Sequence, residues 1–480
     1  MDYENLLKEA ELGRPVKSHS GAVQQGDIFV ALSGTRVHGG QFIQEALERG
    51  AFMAVARQED LRQQHDKILI HENPVFALGQ LAQAYYRTGR MELGIIGITG
   101  TNGKTTVTYL LEHIFKSNGF KTGVLGTVNY RWGNNLIDSS MTTPDCLQVH
   151  DILSKMDQDG VEMVIMEVSS HALDQDRVAG ITFDAGVFLN LTQDHLDYHK
   201  NMEDYFQAKI KLFLSSGKKK TFQSVINSDD SYGQRLLCQV SGALSFGLNH
   251  SVQTRLCGKL LKNDRTGITL QCSYQDQEWV VSSPLSGRHN GSNLLAAQGA
   301  GLALGLNPKQ FECLENAGQV PGRLEKIIND RGLDIYVDYA HTPDALENVC
   351  KTIKDLDYSR LLVLFGCGGD RDKAKRPLMT RAAAKYADVV FLTSDNPRFE
   401  DPLSIIHDAC SGFVNGDEYF IEEERRSAIQ QAVYFMKPGD ALLVAGKGHE
   451  QYQEIRGVRN HFNDAEEIRL AAAYETSGGS

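Results

Sequence analysis

The stretch "LGIIGITGTNGKTT", residues 93–106, limits the fold more than any other. An apolar strand pattern runs into a glycine-rich turn, and the turn into a helix pattern, "TTVTYLLEHIFKSNG". Val107, Leu110, Leu111, Ile114 and Phe115 fall on one face of that helix, with Gly119 as its stop. A strand that hands over to a helix in this way belongs to a parallel α/β sheet covered on both faces. The common phosphate-loop pattern G-x-x-x-x-G-K-[ST] is not met, because Ile98 stands at its first glycine. Gly100, Thr101, Asn102, Gly103, Lys104 and Thr105 nevertheless keep the physical elements. Two glycines allow close backbone approach, a lysine serves the β/γ phosphates, and a hydroxyl serves Mg²⁺. With Thr106 behind them, they predict an ATP or GTP site at a helix N-terminus. Motors, switches, kinases and ligases share such loops, so the reaction stays open at this point.

At 480 residues the chain exceeds one ordinary core. The first ninety residues read as a small α/β unit without a phosphate loop. "GDIFVAL", "FMAVA" and "KILIHE" are its strands, and "QFIQEALERGA" and "VFALGQLAQAYYR" its helices. The pattern breaks near Gly89-Arg90-Met91. "VEMVIMEV" and "AGVFLNL" continue the sheet of the phosphate loop, residues 221–285 suggest shorter strands forming an antiparallel extension, and "NGSNLLAAQGAGLALG" returns as a helix. After "PGRLEK", four apolar strands, "LDIYVDYA", "RLLVLFGCG", "DVVFLTS" and "ALLVAGKG", alternate with helical stretches, which spells a doubly wound, Rossmann-like sheet. The expectation is three α/β domains, 1–91, 92–322 and 323–480, the middle one of the phosphate-loop ATPase type.

A net charge of −12 argues against a nucleic-acid ligand. The basic run Lys218-Lys219-Lys220 reads as a solvated loop. Eight cysteines without a Cys-x-x-Cys pair read as buried or partly buried free thiols in a reducing compartment. The acidic N-terminus lacks an apolar signal core, and no apolar run reaches the roughly 18 residues of a membrane span. A cytoplasmic protein is expected.

Glu167 ends the strand pattern "VEMVIMEV", where a carboxylate beside a phosphate loop is placed to hold Mg²⁺ directly or through water. His195 and Lys209 lie in the polar stretch that follows, and spacing alone assigns neither of them.

Ten stretches in order then carry a resemblance over nearly the whole chain. They are "GTNGKTT", "TTPD", "EVSSHALDQDR", "NLTQDHLDYH", "AKIKLF", "PGRLE", "VDYAHTPDALE", "FGCGGDRDKAKRP", "DNPR" and "AGKGHEQYQ". The chain resembles the Mur ligase family, in particular its MurE type, which adds the third residue of the peptidoglycan stem peptide. The resemblance implies an ATP-driven amide ligase acting on UDP-N-acetylmuramoyl-L-alanyl-D-glutamate through an acyl phosphate, with an amino acid as the incoming amine. It implies that Lys104 and Thr105 serve the phosphates and the first Mg²⁺, and that Glu167 and His195 hold metal. It implies that Lys209 becomes an N6-carboxylysine, an oxygen-bearing carbamate that also faces metal. Thr142, Thr143, Ser169, Gln175 and Arg177 match residues that hold the UDP-muramoyl dipeptide. Asn290, Arg323 and Asp338 match residues around the nucleotide, with His341 beside them. A monomer using only small-molecule substrates is implied.

The amino-acid site has an argument of its own. "DYAHTP", "CGGDRD", "SDNPR" and "AGKGHE" each follow directly on an apolar strand. The crevice outside the strand carboxyl ends is where open parallel sheets bind ligands. Arg371, Asp395, Asn396, Arg398 and Glu450 gather there, and two arginines with acids suit a ligand bearing two carboxylates and an ammonium. By resemblance, "DNPR", including Pro397, with Gly446 and Glu450, marks meso-diaminopimelate as the amino acid. L-lysine is the alternative, and a catalytically silent nucleotide-binding relative a further one. The first domain departs from the family pattern. In "KSHSGAVQQGDIF" only Ser20 remains of the expected Asp-Ser-Arg, although "TRVHGG" keeps the family's look.

Overall fold

The computed structural model describes residues 1–32, 39–61, 65–196, 198–214, 218–249, 251 and 253–473. Most of "TRVHGG" therefore lies outside the described residues. The chain forms two compact units. The first comprises Met1–Gly258, Cys272–Trp279 and Ser292–Cys313, and the second Lys259–Gln271, Val280–Gly291 and Leu314–Ser480.

The first unit opens with a four-stranded parallel sheet, Val16–Lys17, Ile28–Val30, Met53–Ala56 and Ile68–Ile70 in spatial order. Successive residues of a strand point to opposite faces. Ile28 and Val30 accordingly pack with Leu6, Leu78 and Leu81, while Phe29 packs with Ile43 and Ala46. Helices Tyr3–Glu11 and Pro74–Tyr86 thus cover one face, and helix Ile43–Glu48 the other.

Six parallel strands then lie side by side: Leu244–Gly247, Lys218–Asn227, Phe183–Phe188, Gly94–Thr99, Met163–Glu167 and Thr122–Leu125. The antiparallel pair Asn129–Trp132 and Asn135–Asp138 extends one edge. The loop strand Gly94–Thr99 sits in the middle, and the helix it feeds, Lys104–Ser117, buries Val107, Leu110, Leu111, Ile114 and Phe115 as the periodicity predicts. Gly119 follows its end at φ +88.

Three expectations are corrected. Lys218-Lys219-Lys220 is not a loop but the start of the strand Lys218–Asn227, paired with Phe183–Phe188. Ladder hydrogen bonds come from the backbone, so a run of like charges does not forbid pairing. Residues 221–247 continue the parallel sheet through helix Ser231–Leu237 rather than opening an antiparallel extension. Cys238 is exposed, unlike the other cysteines, which are buried or half-buried.

In the second unit a six-stranded sheet runs Glu325–Lys326, Asp334–Asp338, Asp440–Ala445, Arg360–Cys367, Val389–Ser394, Tyr419–Ile421. Its members are parallel except the first. Leu361, Val363 and Phe365 feed a core shared with helices Pro343–Lys354, Lys375–Ala384 and Pro402–Cys410. Leu362 and Leu364 feed the opposite core, with helices Arg425–Phe435 and Asp464–Ala473. The doubly wound reading holds. The hairpin Tyr452–Ile455 and Val458–His461 beyond the last long strand was not legible in the sequence.

Candidate active site

The loop strand and the strand Met163–Glu167 are neighbours in register, with Ile98 opposite Glu167. The carboxylate therefore emerges beside the loop. Gly100 and Gly103 both take positive φ, +153 and +90, which permits the tight turn. The Lys104 ammonium folds back and donates to the carbonyls of Gly100 and Thr101 at 2.8 and 2.9 Å. The Thr105 hydroxyl donates to Glu167 Oε2 at 3.0 Å.

Thr127, which sequence reasoning missed, completes the grip on Glu167. Its backbone N–H donates to Oε1 at 2.9 Å and its hydroxyl to Oε2 at 2.8 Å. The only signal for it was its place just past the strand Thr122–Leu125, which pairs with Met163–Glu167. Glu167 is 1% exposed. A buried carboxylate that meets hydroxyls and the phosphate-loop threonine is a hard-oxygen donor set, the kind that fits Mg²⁺. Among the described residues, no group of three or more His, Cys, Asp or Glu side chains gathers as a metal centre.

Lys209, on helix Met202–Leu214, is 1% exposed and donates to the Gly100 carbonyl at 3.0 Å. Burial, and then the nearby Lys104 charge, push its ammonium well below the ordinary lysine range, while Asp194 opposes them. As a cation it repels a metal ion. Lys209 and His195 share Tyr205: the ammonium lies 4.5 Å from its ring centre and the imidazole ring 6.1 Å. The Tyr205 hydroxyl lies 3.2 Å from Thr101 Oγ1. His195 holds φ +54, with Asp194 at 3.4 Å from its Nε2.

The residues read as dipeptide contacts gather on the same side. Thr143 donates to the Glu167 carbonyl at 2.8 Å and accepts from the Ser169 N–H at 3.1 Å. Arg177 donates to the Thr143 carbonyl at 3.1 Å and to Gln175 Oε1 at 2.7 Å. Thr142 Oγ1 lies 3.1 Å from Thr127 Oγ1. Ser20 stands apart in the N-terminal sheet region, donating to Glu45 Oε2 at 2.7 Å. That bond, then Arg49, lowers the pKa of Glu45.

In the second unit, Asp338 is buried at the end of its strand, accepting from the N–H groups of Leu324 and Ala340 at 2.7 and 2.8 Å. Burial raises its pKa, and the Arg323 charge works against that. Arg323 lies over the Tyr339 ring at 4.8 Å, and His341 packs on the same ring. Asn290 is buried and donates to the Ser286 carbonyl at 2.8 Å. Thr342 caps the helix Pro343–Lys354, so "DYAHTP" also does the expected capping work.

The strand ends of this unit form one polar cluster. Asn396 donates to Glu450 Oε2 at 2.9 Å and accepts from Lys447 at 3.0 Å. Arg398, at φ +52, donates to the Gly369 carbonyl at 2.7 Å. Asp395 Oδ1 accepts from the Asn396 N–H at 2.7 Å, whereas its buried Oδ2 has no partner. A Cβ on Gly446 would stand 2.8 Å from that oxygen. Pro397 joins Asn396 to Arg398, and the exposed Arg371 lies close to Gly368, which also neighbours Arg398. A buried carboxylate oxygen without a partner can accept from an ammonium, and an arginine can pair with a carboxylate. Lys447 is the member that sequence reasoning missed.

Comparisons with known proteins agree with this layout. Residues 16–86 match the model for the Mur ligase family, catalytic domain, residues 98–301 the Mur ligase middle domain, and residues 322–448 the Mur ligase, glutamate ligase domain. The chain is similar to the UDP-N-acetylmuramoyl-L-alanyl-D-glutamate–2,6-diaminopimelate ligase of Lawsonia intracellularis, with 48% identity over 93% of each protein. It is 41% identical to the enzyme of the same name from Aquifex aeolicus, over 98% of this chain and 95% of that one. A solved structure of a ligase with this name superposes with a TM-score of 0.72 at 34% identity, covering 96% of this chain and 95% of the other. Among the described residues, no helix is long and apolar enough to cross a membrane.

Proposed function

The chain belongs to the Mur ligase family, and from that premise we propose that it joins meso-diaminopimelate to UDP-N-acetylmuramoyl-L-alanyl-D-glutamate at the expense of ATP. The observation that carries the amino-acid choice is the pair Arg398 and Arg371, both near Gly368, in the cluster with Asp395, Asn396 and Glu450, since a distal carboxylate is what diaminopimelate has and lysine lacks. Arg398 and Arg371 take the distal carboxylate, and Asp395 and Glu450 the ammonium groups. A side chain at Gly446 would crowd the Asp395 oxygen offered to the ammonium.

In the reaction, a carboxylate of the dipeptide's glutamate attacks the γ-phosphate, giving an acyl phosphate and ADP. The amine then attacks the acyl carbon through a tetrahedral intermediate, and phosphate leaves. Both steps bring negative charges together, so fixed cations are needed nearby. The Lys104 ammonium exchanges loop carbonyls for phosphate oxygens, and the N–H groups of residues 100–106 cradle the rest. Thr105, Glu167, His195 and carbamylated Lys209 would hold Mg²⁺, whose charge when bound offsets the repulsion between phosphate and carboxylate. Asn290, Arg323 and Asp338 belong to the nucleotide side. Thr142, Thr143, Ser169, Gln175 and Arg177 hold the UDP-muramoyl dipeptide, and Ser20 its uridine end.

The domain assignment is 1–91 for the UDP-sugar, 92–322 for ATP and 323–480 for the amino acid, in a monomer acting in the cytoplasm. The test is phosphate release with ATP, Mg²⁺ and the UDP-muramoyl dipeptide, comparing meso-diaminopimelate with L-lysine. Release that depends on diaminopimelate is expected. Release with lysine alone keeps the ligase and overturns the amino-acid choice, and release with neither points to a silent nucleotide-binding relative.

A further inference from the structure

Lys447 is fully buried, two residues past the strand Asp440–Ala445, and its ammonium has two partners in the cluster. It donates to Asn396 Oδ1 at 3.0 Å and to Glu450 Oε2 at 3.1 Å. Asn396 Oδ1 accepts a second bond, from the Glu454 N–H at 2.9 Å. An ammonium and a backbone N–H only donate, so both require an acceptor from Asn396 and neither tolerates its amide group turned round. The opposite end of the amide agrees, because Nδ2 donates to the carboxylate of Glu450 at 2.9 Å. The orientation of a side-chain amide is usually a matter of context, and here every contact on it points one way.

Asn396 therefore has its acceptor capacity taken up and one N–H used on Glu450, and its second N–H has no partner among the described residues. We propose that Lys447 is a positioning residue that locks Asn396 as a donor, and that this donor selects an amino acid bearing a distal carboxylate over one bearing only an ammonium there. The proposal rests on the amino-acid site described above. If the amide turned, it would present Oδ1 to the ligand, an acceptor for the ε-ammonium of lysine and a repulsive neighbour for a carboxylate. An apolar side chain at 447 removes one of the two donors that hold the amide. It also leaves Glu450 without its ammonium partner.

The experiment compares kcat/KM for meso-diaminopimelate and L-lysine in the parent enzyme, Lys447→Met and Lys447→Gln. The ratio of the two should fall about tenfold in Lys447→Met, the factor for losing one charge-assisted hydrogen bond. Lys447→Gln, which keeps a donor, should recover most of it. A merely structural loss would lower both efficiencies together and leave the ratio alone. A Lys447→Met enzyme that binds ADP like the parent and keeps the ratio within about twofold overturns the proposal. Should that variant not fold, a crystal structure of the parent with meso-diaminopimelate decides. Asn396 Nδ2 on a ligand carboxylate with Lys447 behind it is expected, and Lys447 on the ligand itself refutes the positioning role. A parent enzyme that uses both amino acids equally would instead remove the underlying reading of the site.

Discussion

The side-chain nitrogen of Lys209 donates to the carbonyl of Gly100 at 3.0 Å, beneath the first glycine of the phosphate loop. Burial and the Lys104 charge lower its pKa well below the ordinary 10.5, so the neutral amine is present at lower pH than for a solvated lysine. A neutral amine adds to CO₂: the N–C bond forms, one proton leaves, and a carbamate results. Lys209→Ala should lower phosphate release by about a thousandfold, the upper scale for removing one preorganised electrostatic partner, with partial recovery in formate. In CO₂-depleted buffer, activity of the parent should fall as pH drops through the depressed pKa and return on adding bicarbonate. Full activity of the Ala variant without additives would end this reading. The sign for stability is the same. The unmodified protein loses stability as pH falls from the unfolded lysine value toward the folded one, so Lys209→Met should melt higher than the unmodified parent on the acid side.

Thr127 holds both oxygens of Glu167, one through its N–H and one through its hydroxyl. Thr127→Val keeps the shape and the N–H but removes the hydroxyl. The cost should be about 1–2 kcal/mol, the value of a buried hydrogen bond to a charged group. Titrating phosphate release with Mg²⁺ should show a higher half-saturating concentration, because a carboxylate released on one side is a poorer ligand. An unchanged Mg²⁺ curve together with unchanged stability would show that Thr105 alone suffices.

How much of this was legible depended on how locally each feature is encoded. The phosphate loop and its helix occupy consecutive residues, and their strand-turn-helix pattern was read correctly. Glu167 was also within reach, because an apolar strand that ends in a carboxylate presents it at the carboxyl ends of the strands, beside the phosphate loop. Thr127 was not, because it meets Glu167 only through the pairing of Thr122–Leu125 with Met163–Glu167, a neighbour relation that no local spacing encodes. Lys447 fails for another reason. A lysine after an apolar strand normally reaches water, and only the facing Asn396 and Glu450 make burial tolerable.

Gly369 has an ordinary backbone but no room. A Cβ there would overlap the Pro397 carbonyl, while the Gly369 N–H donates to the Asn396 carbonyl at 2.9 Å. Gly369→Ala must therefore push the "CGGDRD" segment away from "DNPR". Overpacking of this kind costs about 1–3 kcal/mol, and it should raise the KM for diaminopimelate while ADP affinity stays at the parent value. Arg398→Ala should likewise raise the KM for diaminopimelate while sparing ADP binding, because it removes the guanidinium and adds no bulk between the two segments. A Gly369→Ala enzyme with the parent KM would mean that the two segments move independently of the ligand.

Arg425 and Asp464 form an ion pair with both side chains at 0% exposure, joined by two bonds of 2.7 Å. The arginine also donates to the Ala445 carbonyl at 3.0 Å and the Ser394 carbonyl at 3.4 Å. Those carbonyls end the two strands that lead into Gly446 and Asp395, so the pair ties together the supports of the amino-acid cluster. Removing one partner leaves a buried charge unpaired, and Arg425→Met should cost about 3–5 kcal/mol. Replacing both, as Arg425→Met with Asp464→Leu, should recover most of that loss, because two well-packed apolar side chains carry no desolvation penalty. Stability and function should then separate. The double variant should unfold near the parent's denaturant midpoint yet show a raised KM for diaminopimelate, since the arginine's bonds to the Ala445 and Ser394 carbonyls are lost and the two strand ends keep fewer ties to each other. Denaturant melts of both variants and the KM of the double one check this, and a parent-like KM would reduce the pair to a purely structural element.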